Sequence, residues 1–162
     1  MIVYHGSTKI IEKPQIGFSK KYLDFGEGFY VTTFQKQAEK WAKRKALRYG
    51  EKAFVNVYDM SESFEPLKSL NFDSADEKWL DFVCACRRGE NLNQTFDIIC
   101  GNVADDDVFK TIDMYFRGLW DKEKTLAELR YFQQNNQICF VTQLAIDSLL
   151  KFNRSYEVKV DG

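Results

Sequence analysis

Phe25-Gly26-Glu27-Gly28-Phe29-Tyr30-Val31-Thr32-Thr33 is the stretch around which the chain is organised. Two glycines spaced by one residue predict a turn that needs positive φ or close backbone approach, and the aromatic and β-branched run after them reads as a buried strand. A glycine hinge therefore delivers Tyr30 onto a strand. Upstream, Tyr4-His5-Gly6-Ser7 ends a first short apolar strand; far downstream, Asn136 and Gln137 open another, Ile138 to Val141. These three strand ends are expected to meet in one cleft.

The 162 residues are 44% hydrophobic and 15% aromatic, enough apolar material for one core, so a single domain over residues 1–162 is expected. Lys and Arg number 23 against 24 Asp and Glu, a net charge of −1 that argues against a nucleic-acid binder held by phosphate neutralisation. Lys40, Lys43, Arg44, Lys45 and Arg48 fall on one predicted helix and read first as its solvated face. The longest apolar run is far short of the roughly 20 residues of a membrane span, and Met1 to Ser7 lacks the pattern of a leader, so the expectation is a cytoplasmic chain without a membrane partner. Cys84, Cys86, Cys100 and Cys139 lie in apolar or helical contexts, which suits reduced, buried thiols. With His5 the sole histidine, no metal site is expected.

Along the chain, a helix is expected from about Gln35 to Tyr49, with Ala38, Trp41, Ala42, Ala46 and Tyr49 on its apolar face and Gly50 as its stop. Ala53 to Tyr58 reads as a central strand, Ser61 to Asn71 as loop, and 76 to 88 as a helix carrying Trp79, Leu80, Val83 and Cys86 inward. Phe96 to Cys100 is a further strand. The next helix has Val108, Ile112, Tyr115 and Leu119 inward, with Asp105, Asp106 and Asp107 suited to cap its start. Asp121 to Phe132 reads as helix, Gln137 to Val141 as strand, Thr142 as the cap of a helix ending near Leu150, and Ser155 to Val160 as the last strand. Strands and helices do not alternate regularly, so the fold class expected is α+β with a split, mixed sheet and flanking helices.

Tyr4-His5-Gly6-Ser7, Phe25-Gly26-Glu27-Gly28-Phe29-Tyr30-Val31 and Asn136-Gln137-Ile138 resemble the three signature segments of ADP-ribosyltransferases of the histidine, tyrosine, glutamate class, the poly-ADP-ribose polymerase and diphtheria-toxin branch. More narrowly, the chain looks like a bacterial family of that clan, domain of unknown function 3990. The resemblance implies an ADP-ribosyltransferase-like fold with NAD as co-substrate in a cleft between two halves of the sheet. His5 would then bond the adenine-side ribose, the Gly6 backbone would hold the nicotinamide carboxamide, and Ser7 and Gly28 would be among the NAD-binding residues. Tyr30 would stack on the nicotinamide, with Trp41, eleven positions on, as the second aromatic; Ala38 stands where that branch has a serine. His5, Tyr30 and Gln137 form the implied catalytic set. The implied acceptor is a protein or nucleic acid, and a bacterial toxin or effector with an antitoxin partner is in keeping with the clan.

Breaking the nicotinamide–ribose bond builds positive charge on the sugar, so such a site must hold the leaving group and stabilise an oxocarbenium-like state. Aromatic faces grip a flat cationic ring, and a neutral imidazole meets a sugar hydroxyl without adding charge. Gln137 stands where the class has its catalytic glutamate. The missing charge is worth on the order of 4 kcal/mol at about 4 Å and an effective dielectric near 20, or roughly a thousandfold in rate. Slow mono-ADP-ribosyl transfer, a compensating carboxylate from Glu27, Asp97 or Glu157, a catalytically inert NAD or ADP-ribose binder, or a protein-interaction domain on the same scaffold are the readings left open.

Overall fold

The computed structural model describes residues 1–17, 23–104, 106–130 and 135–160, with backbone alone for Asp106 and Asp107. Asp105 and the loop residues Gln133 and Gln134 lie outside the described residues, so the capping expected of the three acids does too.

The fold is mixed α+β. One sheet is antiparallel, in the order β1 (Ile2–Ser7), β3 (Ala53–Met60), β7 (Leu150–Val158). The other runs β2 (Phe29–Val31), β6 (Gln137–Phe140), β5 (Ile98–Gly101), β4 (Ser69–Asn71), antiparallel except for the parallel β4–β5 pair. The sheets join where Tyr4 and Thr32 exchange both backbone hydrogen bonds, at 2.8 and 2.9 Å. The sheet is thus split and mixed, as expected.

Helix α1 (Gln35–Tyr49) lies on β1 and β3 through Ala38, Ala42 and Ala46, against Ala53, Val55 and Val57. Small side chains on both sides bring the backbones close, and Gly6 is a point of close approach. A Cβ there would stand 2.2 Å from the Ala38 carbonyl oxygen and 2.7 Å from the Ala42 nitrogen. Gly50 ends the helix at φ 64°, its N–H bonded to the Ala46 carbonyl. Tyr49, expected inward, is 58% exposed, because the burying face stops at Ala46.

The second sheet is buried on both faces by period-two alternation. Phe29, Val31, Ile98, Ile138 and Phe140 face a core shared with Val3, Tyr58 and Met60 of the first sheet and closed by α5 (Gln143–Leu149). Tyr30, Ile99 and Cys139 face the other way, toward α2 (Glu77–Arg87), α3 (Asp106–Phe116) and α4 (Lys122–Leu129), where Trp79, Leu80, Val83, Val108, Ile112 and Leu129 pack. Burial raises the Cys84 thiol, raises Cys100 to about 11 and Cys86 to about 12, and pushes Cys139 higher still.

Among the described residues, side-chain caps start three helices: Asp76 accepts from Trp79 N, Asp121 from Lys124 N and Thr142 from Ala145 N. Three further expectations need correction. The predicted loop to Asn71 contains β4, whose Ser-Leu-Asn shows no period and owes its state to pairing with β5. The last strand begins at Leu150 rather than Ser155, since Leu150 is already extended, at φ −103° and ψ 136°. Leu119 lies past the end of α3 and is 65% exposed.

Because backbone rather than a flexible side chain blocks the space, Gly6→Ala should cost about 3 kcal/mol by forcing α1 off β1. Gly50→Ala, with open space but a left-handed φ, should cost about 1 kcal/mol. Urea unfolding midpoints of the two variants check the order.

Candidate functional site

The hinge before β2 is a tight, internally bonded turn. Gly26 sits at φ 78° and its N–H bonds the Leu23 carbonyl at 3.0 Å. The Tyr30 hydroxyl folds back over it, donating to the Gly26 carbonyl at 2.5 Å and accepting from Phe25 N at 3.0 Å. Gly28 is required for another reason: a Cβ would lie 2.4 Å from the Cys139 sulfur and 2.7 Å from the Phe140 carbonyl, so β6 passes directly behind it. Burial, then the neighbouring Cys139 and Asp24, hold the Tyr30 phenol well above its ordinary value. It is a neutral donor committed to its own turn, with its ring on the α2 side of the sheet.

Past the Tyr4–Thr32 bridge β1 and β2 form no further ladder pair among the described residues, and His5 fills the gap. Its Nδ1 lies 2.5 Å from the Tyr30 carbonyl oxygen. A carbonyl only accepts, so Nδ1 carries the hydrogen and Nε2 is the acceptor. The imidazole stacks on Phe29, centroids 4.2 Å apart. Desolvation, with the nearby Lys45 ammonium, lowers its pKa from 6.5 to about 3 against the opposing pull of the Tyr30 carbonyl, so His5 is neutral at physiological pH. His5 of β1 and Tyr30 of β2 thus meet through backbone, while their rings lie on opposite faces of β2, since the imidazole stacks on Phe29 and Phe29 and Tyr30 alternate.

The Gly6 carbonyl accepts from Lys45 Nζ at 2.8 Å, and the Ser7 hydroxyl accepts from Lys9 N at 3.2 Å. Trp41 is half-buried on α1 with its Cβ beside Gly6, and no ring contact among the described residues joins it to Tyr30. Asn136 clamps the end of β2: its Oδ1 accepts from Thr32 Oγ1 and Thr33 N, and its Nδ2 donates to Thr33 Oγ1.

Gln137 is 4% exposed and leaves β6 on the same face as Cys139 and Tyr30. Its Nε2 donates to Asp24 Oδ2 at 3.0 Å and to the Asn102 carbonyl at 3.3 Å. Asp24 Oδ2 also accepts from Ala104 N at 2.9 Å, and Oδ1 takes Arg87 Nε at 3.0 Å together with a close Arg87 Nη2. Asp24 is 8% exposed, so this is a buried charge that is paired and fully hydrogen-bonded.

Asp24 and Arg87 are the site residues that sequence reasoning missed. Asp24 looked like the end of a polar loop, and Arg87 like any basic residue in a helix's last turn. The three carboxylates considered instead are elsewhere. Asp97 is tied to Lys68 N and Thr142 Oγ1, Glu157 faces Lys52 at 3.5 Å on an exposed edge, and Glu27 is exposed.

Two hollows flank the hinge. A groove of about 330 Å³ is lined by Leu23, Asp24, Arg87, Phe109, Ile112 and Phe116, with the Arg87 guanidinium 4.3 Å from the Phe109 ring centre. A more polar hollow of about 470 Å³ includes Gly26, Glu27 and Asn93. His5, Tyr30, Trp41 and Gln137 line neither, and Asp24 with its partner Arg87 connects the Gln137 network to the first.

The model of a family described as protein of unknown function (DUF3990) matches residues 1–152. No curated protein matches the chain. No helix among the described residues is long and apolar enough to cross a membrane.

The neutral His5 gives the site a pH signature. The unfolded chain binds a proton at pH 6.5 that the folded chain refuses until about pH 3, so this contribution is full above 6.5 and is lost as pH falls. Wild type should lose about 2 kcal/mol more than His5→Asn between about pH 6.5 and pH 5, as measured by urea unfolding across that range.

Proposed function

We propose, for a chain that belongs to the DUF3990 family, that it is an NAD-dependent mono-ADP-ribosyltransferase-type domain acting on a macromolecular acceptor, a protein or nucleic acid. The observation that carries this reading is the gap between β1 and β2. There a neutral His5 is anchored by Nδ1 to the Tyr30 carbonyl, leaving Nε2 as the acceptor for a ligand hydroxyl. Tyr30 and Gln137 share one face of the adjoining strands β2 and β6.

On this reading Tyr30 gives a ring face to a flat nicotinamide while its hydroxyl keeps the hinge closed, and Gln137 bonds a ribose hydroxyl. The glutamine brings no charge to a developing oxocarbenium ion, and the charge of Asp24 is offset by Arg87. Transfer is therefore slow, and elongation to a polymer, which asks the third residue to activate an acceptor hydroxyl, is not part of the activity. That same ion pair favours a second reading, a binder of NAD or ADP-ribose that performs no transfer.

NAD at a hundred times its Kd should stabilise the chain by about 2.7 kcal/mol, a rise in Tm of roughly 5 to 10 °C. Tyr30→Phe should keep the NAD-dependent rise, at a cost of about 1 kcal/mol in basal stability for the lost hydroxyl bonds; Tyr30→Ala should abolish the rise. Release of nicotinamide by wild type separates transferase from binder, and absence of any NAD-dependent shift ends both readings.

A further inference from the structure

Gln137 sits against an acid, and that decides which way its amide points. Both acceptors near Nε2, the Asp24 carboxylate and the Asn102 carbonyl, are oxygens without hydrogens, so the amide nitrogen must face them. Oε1 then points away. It accepts no hydrogen bond among the described residues, and no fully enclosed side-chain nitrogen or oxygen among them lacks a partner, so Oε1 keeps some contact with solvent although Gln137 as a whole is buried.

We propose that Asp24 is a positioning residue which fixes the Gln137 amide with Oε1 as the outward, ligand-facing acceptor, and which makes glutamine rather than glutamate the residue this position takes. The ligand-facing part rests on the NAD reading above; the orientation does not. A glutamate here would oppose Asp24 Oδ2 and the Asn102 carbonyl oxygen with no hydrogen among the three. The two carboxyl groups would then share one proton. The other ionisable groups around them are Arg87 and Cys86 from α2, Tyr30 from β2, Cys139 from β6 and Asp113 from α3. Arg87 is the one cation in that set, and Asp24 already holds it through two nitrogens.

The sign follows. A Gln137→Glu chain keeps a proton in its folded state that the unfolded chain releases near pH 4, so its stability falls as pH rises. In Asp24→Asn/Gln137→Glu the new amide donates to the new carboxylate, which restores one charge of each sign beside Arg87.

The test melts wild type, both single variants and the double variant without NAD at about pH 5 and about pH 8, then follows nicotinamide release. Gln137→Glu should lose roughly 5 °C more in Tm at the higher pH than wild type does, and the double variant should melt above Gln137→Glu there. In turnover, Asp24→Asn should lower kcat by about tenfold or more with little change in the KM for NAD, since a loosened acceptor weakens the transition state more than ground-state binding. Equal losses for Gln137→Glu at both pH values overturn the orientation, and this single variant decides it even where Asp24→Asn does not fold. A rise in KM with kcat unchanged overturns the positioning role. Wild type that releases no nicotinamide removes the transferase reading alone, because the melting experiment still decides the orientation.

Discussion

Among the described residues, the two sheets of this protein are hydrogen-bonded to each other through one reciprocal backbone pair, between Tyr4 and Thr32. On one side of that pair the chain runs into β1 and the first sheet; on the other it runs through β2 into the second. Because the ladder goes no further, the next residues of β1 face β2 without pairing. A backbone carbonyl left there needs a donor, and the His5 imidazole supplies it. The common core of Val3, Tyr58, Phe29 and Phe140 holds the two halves together behind this opening. The imidazole thereby occupies the gap between the strands, where β1 and β2 do not continue as one ladder.

The second constraint is a buried anion. Asp24 ends the segment before the hinge and would be costly under the fold without partners. Arg87, Ala104 N and Gln137 satisfy it from three different elements, which ties α2, the start of the α3 segment and β6 to the hinge. The Gly26 turn and the Tyr30 hydroxyl fix the hinge from within, and the Asn136 clamp fixes its far end. Structure and site share these bonds.

Local signals made much of this legible. The two glycines, the strand after them, the Gly50 stop and the inward set of α2 each follow from neighbouring residues. Period two also places Tyr30 and Gln137 on one face once β2 and β6 pair. Trp41 is a different case. Its spacing from Tyr30 reads well in sequence, but α1 carries it over Gly6, away from the Tyr30 ring. The Asp24–Arg87 pair spans 63 positions, with nothing nearby to distinguish either residue from a solvated charge. β4 was hidden for the same reason, since its state depends on a distant partner.

The sulfur atoms carry one more consequence. Cys139 fills the space behind Gly28, and burial keeps it and Cys86 in the thiol form. A thiol without its thiolate does not react, so an alkylating reagent meets these two only when the surrounding helices and strands separate. The chain therefore carries its own clock for internal opening: the pace of alkylation at Cys139 reports how often β6 lifts from the hinge, and that at Cys86 how often α2 swings clear.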